Sequence, residues 1–504
     1  MKDEVKLPLW LQFLLLFSFL FLLIEKIRAR KHSKKVLSGP PKLPIIGNLH
    51  QLGPLAHRSL HQLSKKYGPV MLLQIGSVPT LVVSSADAAR KILTTNDLDC
   101  CSRPLLAGAG RLSYNYLDVA FTPYGSYWRE MRKICNHELF SAKRVQSFQF
   151  IREEEIGLMI ESISQSSSSE SPVNLTQKMM SLTMDLICRV AFGKSSKDRE
   201  LDHNKLHELI HEALGIMGSF FASDFFPYVG WIIDRIRGLH GRIERVFQDL
   251  DLFYQMLIDD HLRTGRQKQE AEDIIDVLLQ IKKYQTNTSL QITQDHIKGI
   301  LMNILFAGVD TTSALVVWAM AELVRNPILM KKAQDEIRNC VAEKGRVSEC
   351  DIHQFQYLKM VIKETLRLHP PGALLLPREC ISQFNINGYS VCPKTHIQVN
   401  IWAIGRDPES WENPDQFNPE RFMDSPIDFK GRNFELLPFG AGRRSCPGMN
   451  MGILNVELAL ANLLYHFDWK LPNALKAEDL NMEEAAGLTN YKKEALVLIP
   501  TKYH

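Results

Sequence analysis

The apolar positions of this chain fall into three patterns. Residues 7–24 form a nearly unbroken run of 18, interrupted only by Pro8, Gln12 and Ser18. That is close to the shortest stretch that crosses a bilayer as a helix, and Trp10 stands where an interfacial aromatic belongs. From Asp87 to about His369, apolar residues recur at helical spacing. Strand-like segments are confined to residues 70–75 and 80–84, flanking Gly76-Ser77-Val78-Pro79 as a hairpin, and to residues 384–386, 390–391, 397–400 and 495–499. Two apolar helices are expected at residues 301–324 and 449–467. The serine run at 164–171 reads as a surface loop, and there is no internal repeat. The pattern predicts a mainly α body with a small β region behind an N-terminal transmembrane helix.

Charge changes the picture in one place. The net charge is +4, but residues 25–35 hold six Lys and Arg against Glu25, a local +5, while residues 1–24 balance to zero. The remaining 469 residues therefore carry −1. The basic excess is a juxtamembrane cluster and not a nucleic-acid footprint. It follows the apolar run, and no small-x-small cleavage site is present, so residues 1–24 read as a retained anchor and not a signal peptide. The body then faces the cytosol. Nine cysteines without a C-x-x-C pair suit a reducing compartment, and the sequons at Asn174 and Asn287 would stay unmodified there. Residues 25–47 make a basic hinge ending in a proline-rich, extended segment. Residues 48–504 make the catalytic body.

Candidate chemistry centres on Cys446, in Pro438-Phe439-Gly440-Ala441-Gly442-Arg443-Arg444-Ser445-Cys446-Pro447-Gly448. The glycines allow a tight turn and bring backbone N–H groups to a sulfur. Pro447 suits the first position of a following helix, so Cys446 is expected at a helix N-terminus, which favours a thiolate. Arg443 and Arg444 can meet carboxylates. A lone thiolate beside such arginines suits a haem and its propionates. A second cluster, Ala307-Gly308-Val309-Asp310-Thr311-Thr312, breaks an apolar helix. Glycine there costs roughly 1 kcal/mol relative to alanine, and threonine hydroxyls can bond back to helix carbonyls. Such a break can seat a small ligand and deliver protons.

These residues resemble the cytochrome P450 family. Phe439, Gly442, Arg444, Cys446 and Gly448 fill every fixed place of its haem-binding loop, Phe-x-x-Gly-x-Arg-x-Cys-x-Gly, and residues 307–312 match its oxygen-activating helix. The resemblance runs from Pro40 to the C-terminus. It implies the cytochrome P450 fold with haem b ligated by the Cys446 thiolate. It implies that Thr311 hydrogen-bonds the bound oxygen and that Asp310 helps relay protons. Trp128 and Arg132 (W-x-x-x-R), Arg378 and Arg444 are implied as propionate partners, with Phe439 also in the cofactor site. Glu364 and Arg367 (E-x-x-R), with Arg421, are implied as a buried structural network. No flavin domain or nicotinamide fingerprint occurs, so electrons must come from outside. The implied partner is an NADPH–cytochrome P450 reductase, steered by Arg132, Lys133 and Arg443. O2 and a hydrophobic small molecule are the implied substrates, and the endoplasmic reticulum membrane the implied location.

Within the family the whole pattern is most similar to plant microsomal A-type enzymes of specialised metabolism, which act on terpenoids, alkaloids and phenolics. By position, the pocket should draw on residues 105–117, Asn303, Ala307, residues 373–376 and Leu488. Most are small or aliphatic, which suits a terpenoid, with an alkaloid or phenolic as the alternative. A non-catalytic haem-binding membrane protein is the rival from another class, and the Asp310/Thr311 pair argues against it. His207-Glu208-Leu209-Ile210-His211 spells a zinc-protease H-E-x-x-H, extended by His203. The further glycine of that motif falls on Leu214 and no third ligand follows, so the match reads as chance. The aromatic-rich stretch 220–247 reads either as core or as a flexible lid dipping into the bilayer.

Overall fold

The computed structural model describes residues 37–503 apart from 169–170, 195–202, 265–271, 285–290 and 473–474. The expected anchor, the basic cluster and the Asn287 sequon lie outside the described residues. Strands β1 (Val70–Ile75) and β2 (Val78–Val83) pair antiparallel around a turn of only Gly76 and Ser77. Val78 and Pro79 thus belong to β2 and not to the turn. Proline is tolerated because the parallel pairing of β2 with a later strand begins only at Thr80.

The helices that precede the centre of the fold include α1 (Ala107–Leu112), α2 (Ser126–Ile134), α3 (Gln149–Ser167), α4 (Leu175–Phe192) and α5 (His203–Met217). The first serines of the 164–171 run are the last turn of α3, not a loop. Strand β3 (Val173–Asn174) separates α3 from α4. Then come α6 (Gly230–Ile236), α7 (Leu239–Leu262), α8 (Gln294–Arg325) and α9 (Gln356–Leu368). The short strands β4 (Arg378–Glu379), β5 (Phe384–Ile386), β6 (Tyr389–Val391) and β7 (His396–Val399) follow. The chain ends with α10 (Met449–His466), β8 (Phe467–Lys470) and β9 (Val497–Lys502). The sheets run β1-β2-β7-β4, β3-β9-β8 and β5-β6. This is the mainly α architecture with a small β region that the apolar pattern predicts.

Helix α8 starts seven residues before its expected beginning. Thr293 caps it, accepting from the His296 N–H while His296 Nδ1 accepts from the Thr293 N–H. It is long and apolar enough to span a membrane, yet 78% of its most apolar window is buried in protein. Helices α4 and α10 pack directly against it, so α8 is the axis of the main core. The proline-rich segment is not extended throughout: Leu43 and Gly47 exchange hydrogen bonds across a turn with Ile45 at φ 67°. Asn48 holds that turn by donating to the carbonyls of Pro40 and Pro41.

Under the β-side of the body, the Arg367 guanidinium grips Glu364 with two bonds of 2.7 Å and donates to the carbonyls of Gly405, Pro414 and Gln416. Arg421 Nε reaches the same carboxylate at 3.0 Å. Glu364 and Arg367 have side chains of 0% exposure, so each charge depends on the other. Glu364→Ala should strand Arg367 and cost about 3–5 kcal/mol. We expect no haem in the purified variant, read by absorbance; full haem content would refute the network's structural role.

Candidate active site

Four residues step along one face of α8 at intervals of four: Gly299, Asn303, Ala307 and Thr311. Their neighbours are buried, yet Ala307 and Thr311 are exposed in the middle of the core helix. They therefore line an internal space. The Thr311 hydroxyl donates to the Ala307 carbonyl at 2.8 Å, which leaves its oxygen lone pairs for a ligand. Gly308 lies against α4, where an added Cβ would collide with Ile187. The glycine of the break thus admits the neighbouring helix.

Asp310 does not accompany Thr311. Its carboxylate is buried and accepts from Thr489 Oγ1 at 3.1 Å, in the loop before β9. Burial pushes it up from 3.8 to about 6, opposed by Tyr491, Thr489 and the nearby His211. The two residues that the sequence treats as a pair are the open and the closed side of one turn.

Cys446 does not start a helix. Helix α10 begins at Met449 behind Gly448, so Pro447 is not its first residue. The Gly448 N–H still reaches the sulfur, as expected of a helix entry, and burial pushes the thiol up. The Cys446 N–H donates to the Phe439 carbonyl at 2.9 Å, closing the loop. Phe439 itself packs edge-on against Phe429 with ring centres 5.7 Å apart. The sulfur combines an exposed surface with protein around it, as a group lining an internal space does. Gly442, at φ 68°, lets the loop press on the Leu93 carbonyl, where a Cβ would clash.

Around this loop stand four half-buried or buried guanidinium groups. Arg378 bonds Asp97 at 2.6 Å and the Ala441 carbonyl at 3.2 Å. Arg444 donates to the carbonyls of Cys101, Val119 and Thr122 and lies 4.2 Å over the Trp128 ring. Burial pulls it down to about 10. Arg132 donates to the Ser445 carbonyl at 2.6 Å. Arg103, which the sequence reading missed, donates to the carbonyls of Ala120, Leu376 and Pro377 and is fully enclosed. Only an Arg-Pro pair beside a helical pattern marked it. Trp128 donates its Nε1–H to Val119.

Among the described residues, only Asp97 gives any of these four a directly bonded carboxylate. Buried cations that meet mainly carbonyls are costly. A ligand carrying two carboxylates beside a thiolate-binding metal fits this donor set, so the residues fit haem.

The H-E-x-x-H helix behaves otherwise. His207 and His211 lie one turn apart on α5, and burial lowers the pKa of His207. No metal-ligating trio forms around them among the described residues. Of the three residues expected to steer a partner, Lys133 is exposed, Arg443 is tied to Asp97 at 2.9 Å and Arg132 points inward.

Asp310 titrates higher in the fold than unfolded, so its protonated form is favoured by folding. Its contribution is full below pH 3.8 and is lost as pH rises through about 6. Relative to Asp310→Asn, wild-type thermal stability should fall between about pH 4 and pH 6, by about 1–3 kcal/mol. A constant difference between the two proteins across that range would refute the assignment.

A cytochrome P450 family model matches residues 37–499. Cytochrome P450 71B26 of Arabidopsis thaliana is 53% identical over 97% of this chain and 98% of its own length. Cytochrome P450 71B37, from the same plant, is 52% identical over 98% and 99%. A zebra fish cytochrome P450 solved with progesterone superposes with a TM-score of 0.76 at 26% identity, covering 90% of this chain and all of that one. Its structure with abiraterone gives 0.74 at 26% identity over 89% of this chain and all of that one. With the geometry around Cys446, these likenesses make the chain a member of the cytochrome P450 monooxygenases, similar to their plant A-type branch.

Proposed function

We propose that this enzyme is a membrane-anchored haem-thiolate monooxygenase that oxidises a hydrophobic small molecule, a terpenoid, with electrons passed from NADPH by a reductase. The observation that carries it is the pairing of Cys446 with an arginine cradle that has almost no carboxylate of its own. Haem, when bound, supplies the reductive activation of dioxygen. Cys446 would ligate it, while Arg132, Arg378, Arg444 and the newly found Arg103 would hold its carboxylate edge; Trp128, whose single N–H goes to Val119, would support Arg444 with its ring face. Thr311 would accept or pass a hydrogen bond at its Oγ1, on the open side of α8. Asp310, held by Thr489, keeps its proton to higher pH than an ordinary carboxyl, up to about 6, within the same turn.

The apolar nature of the pocket supports the substrate class. The Asn303 amide, expected in the pocket lining, is consumed by the Asp118 carboxylate and the N–H groups of Val119 and Ala120. That leaves Ala307, Ala373 and aliphatic neighbours such as Leu374 and Leu488. The roof supports entry from lipid. Tyr228 is 90% and Ile236 82% exposed, with Trp231 between them, while the half-buried Phe220 and Phe225 stack on each other at 5.0 Å. The hairpin tip anchors this roof through two bonds from Ser77 to the Phe225 carbonyl. Exposed Lys133 is the one freely presented member of the expected docking group, although it also contacts Glu130.

With reductase, NADPH and a panel of terpenes, the enzyme should form oxidised product. Thr311→Ala should retain haem yet divert most reducing equivalents to hydrogen peroxide, lowering the product-to-NADPH ratio by about tenfold. Unchanged coupling would sink the role of Thr311, and turnover of phenolics alone would overturn the substrate class.

A further inference from the structure

The loop between α1 and α2 carries the carbonyls that hold Arg444 and Trp128. Val119 accepts from both, and Thr122 accepts from Arg444 at 2.7 Å. The position of those carbonyls comes from two residues, one on each side of the gap to α8. Asp118 is 0% exposed and receives the N–H groups of Ala120 and Phe121 and the hydroxyl of Thr122. Asn303 donates to the Asp118 carboxylate at 2.9 Å, and its carbonyl accepts from Val119 and Ala120 at 2.9 and 3.1 Å. Every polar atom of the Asn303 side chain therefore serves the loop. One turn earlier, a Cβ on Gly299 would stand 2.7 Å from the Leu117 carbonyl oxygen, so the loop seats against α8 only because that position is glycine.

We propose that Asp118 and Asn303 are positioning residues for the haem site: a strut that fixes the loop on the oxygen-side helix and, through its carbonyls, fixes Arg444 and Trp128. The inference rests on the haem-thiolate reading. The same helix face then serves two ends, holding the cofactor's cationic cradle at residues 299 and 303 and lining the reaction space at residues 307 and 311. Cutting the strut leaves Asp118 short of a donor and the Val119 N–H without an acceptor, in a buried place where unmade hydrogen bonds are expensive. The loop shifts, and Arg444 moves with it. A cation near the propionates favours the reduced haem, which carries one positive charge less, so displacing Arg444 lowers the midpoint potential.

The test compares three full-length, haem-loaded proteins: wild type, Asn303→Ala, and Gly299→Ala, whose added Cβ presses on the Leu117 carbonyl without removing the Asn303 amide. Two readouts that need no turnover are followed, haem transfer to a haem-free globin and the midpoint potential by spectroelectrochemistry. Both variants should lose haem about tenfold faster and move to a more negative potential. Wild-type haem loss and potential in Asn303→Ala would overturn the strut. Should Asn303→Ala not fold, Gly299→Ala decides alone: faster haem loss at a more negative potential supports the strut and wild-type behaviour overturns it. A wild type without thiolate-ligated haem would contradict the functional reading instead, which keeps the two failures distinguishable.

Discussion

The constraint on which this structure turns is positive charge held inside protein next to one sulfur. Arg103, Arg132, Arg378 and Arg444 converge on the loop of Cys446, and Asp97 alone among the described residues answers any of them with a bonded carboxylate. Carbonyl oxygens satisfy the N–H groups but not the charge. The surrounding fold is arranged to tolerate this. Gly442 lets the loop approach Leu93 and Asp97, Trp128 offers its ring face to Arg444, and the loop before α2 supplies carbonyls from a strut on α8. An anionic cofactor completes the set, which is why the cradle and the thiolate are best understood as one site.

Much of this was legible because the residues concerned lie close together in sequence. The Cys446 loop, the break at residues 307–312 and the Glu364/Arg367 pair each declare themselves within about ten positions. What was not legible depends on contacts between distant segments. Asn303 falls on the pocket face of α8 by helical spacing, but its amide is taken by residues 118–120, nearly two hundred positions away. Arg103 sits in an irregular loop, marked only by the proline that follows it. Asp310 and Thr311 are adjacent in sequence yet point to different surroundings, because successive helical residues turn by about 100°. Local limits failed for similar reasons. Pro79 is accepted in β2 because its neighbour strand starts one residue later, and α8 begins early because a Thr293 cap extends it past the apolar run.

The division of labour within α8 follows from this geometry. Its open side presents Ala307 and Thr311 to the reaction space. Its closed side holds Asp310 against Thr489, where burial keeps the carboxyl protonated to higher pH than usual. Its earlier turns fasten the loop that holds the arginines. Gly308 meets α4 and not a ligand, so the polar break is less a distortion of the helix than a change in what each face touches. The roof is likewise split, with half-buried rings stacked on each other at Phe220 and Phe225 and exposed side chains at Tyr228 and Ile236.

The most direct test of the account is a carbon monoxide difference spectrum of dithionite-reduced membranes carrying the full chain, recorded beside the Cys446→Ala variant. The account predicts a thiolate-type Soret band in the wild type that disappears in the variant. A folded wild type without that band, or a variant that keeps it, would contradict the assignment of Cys446 as the axial ligand.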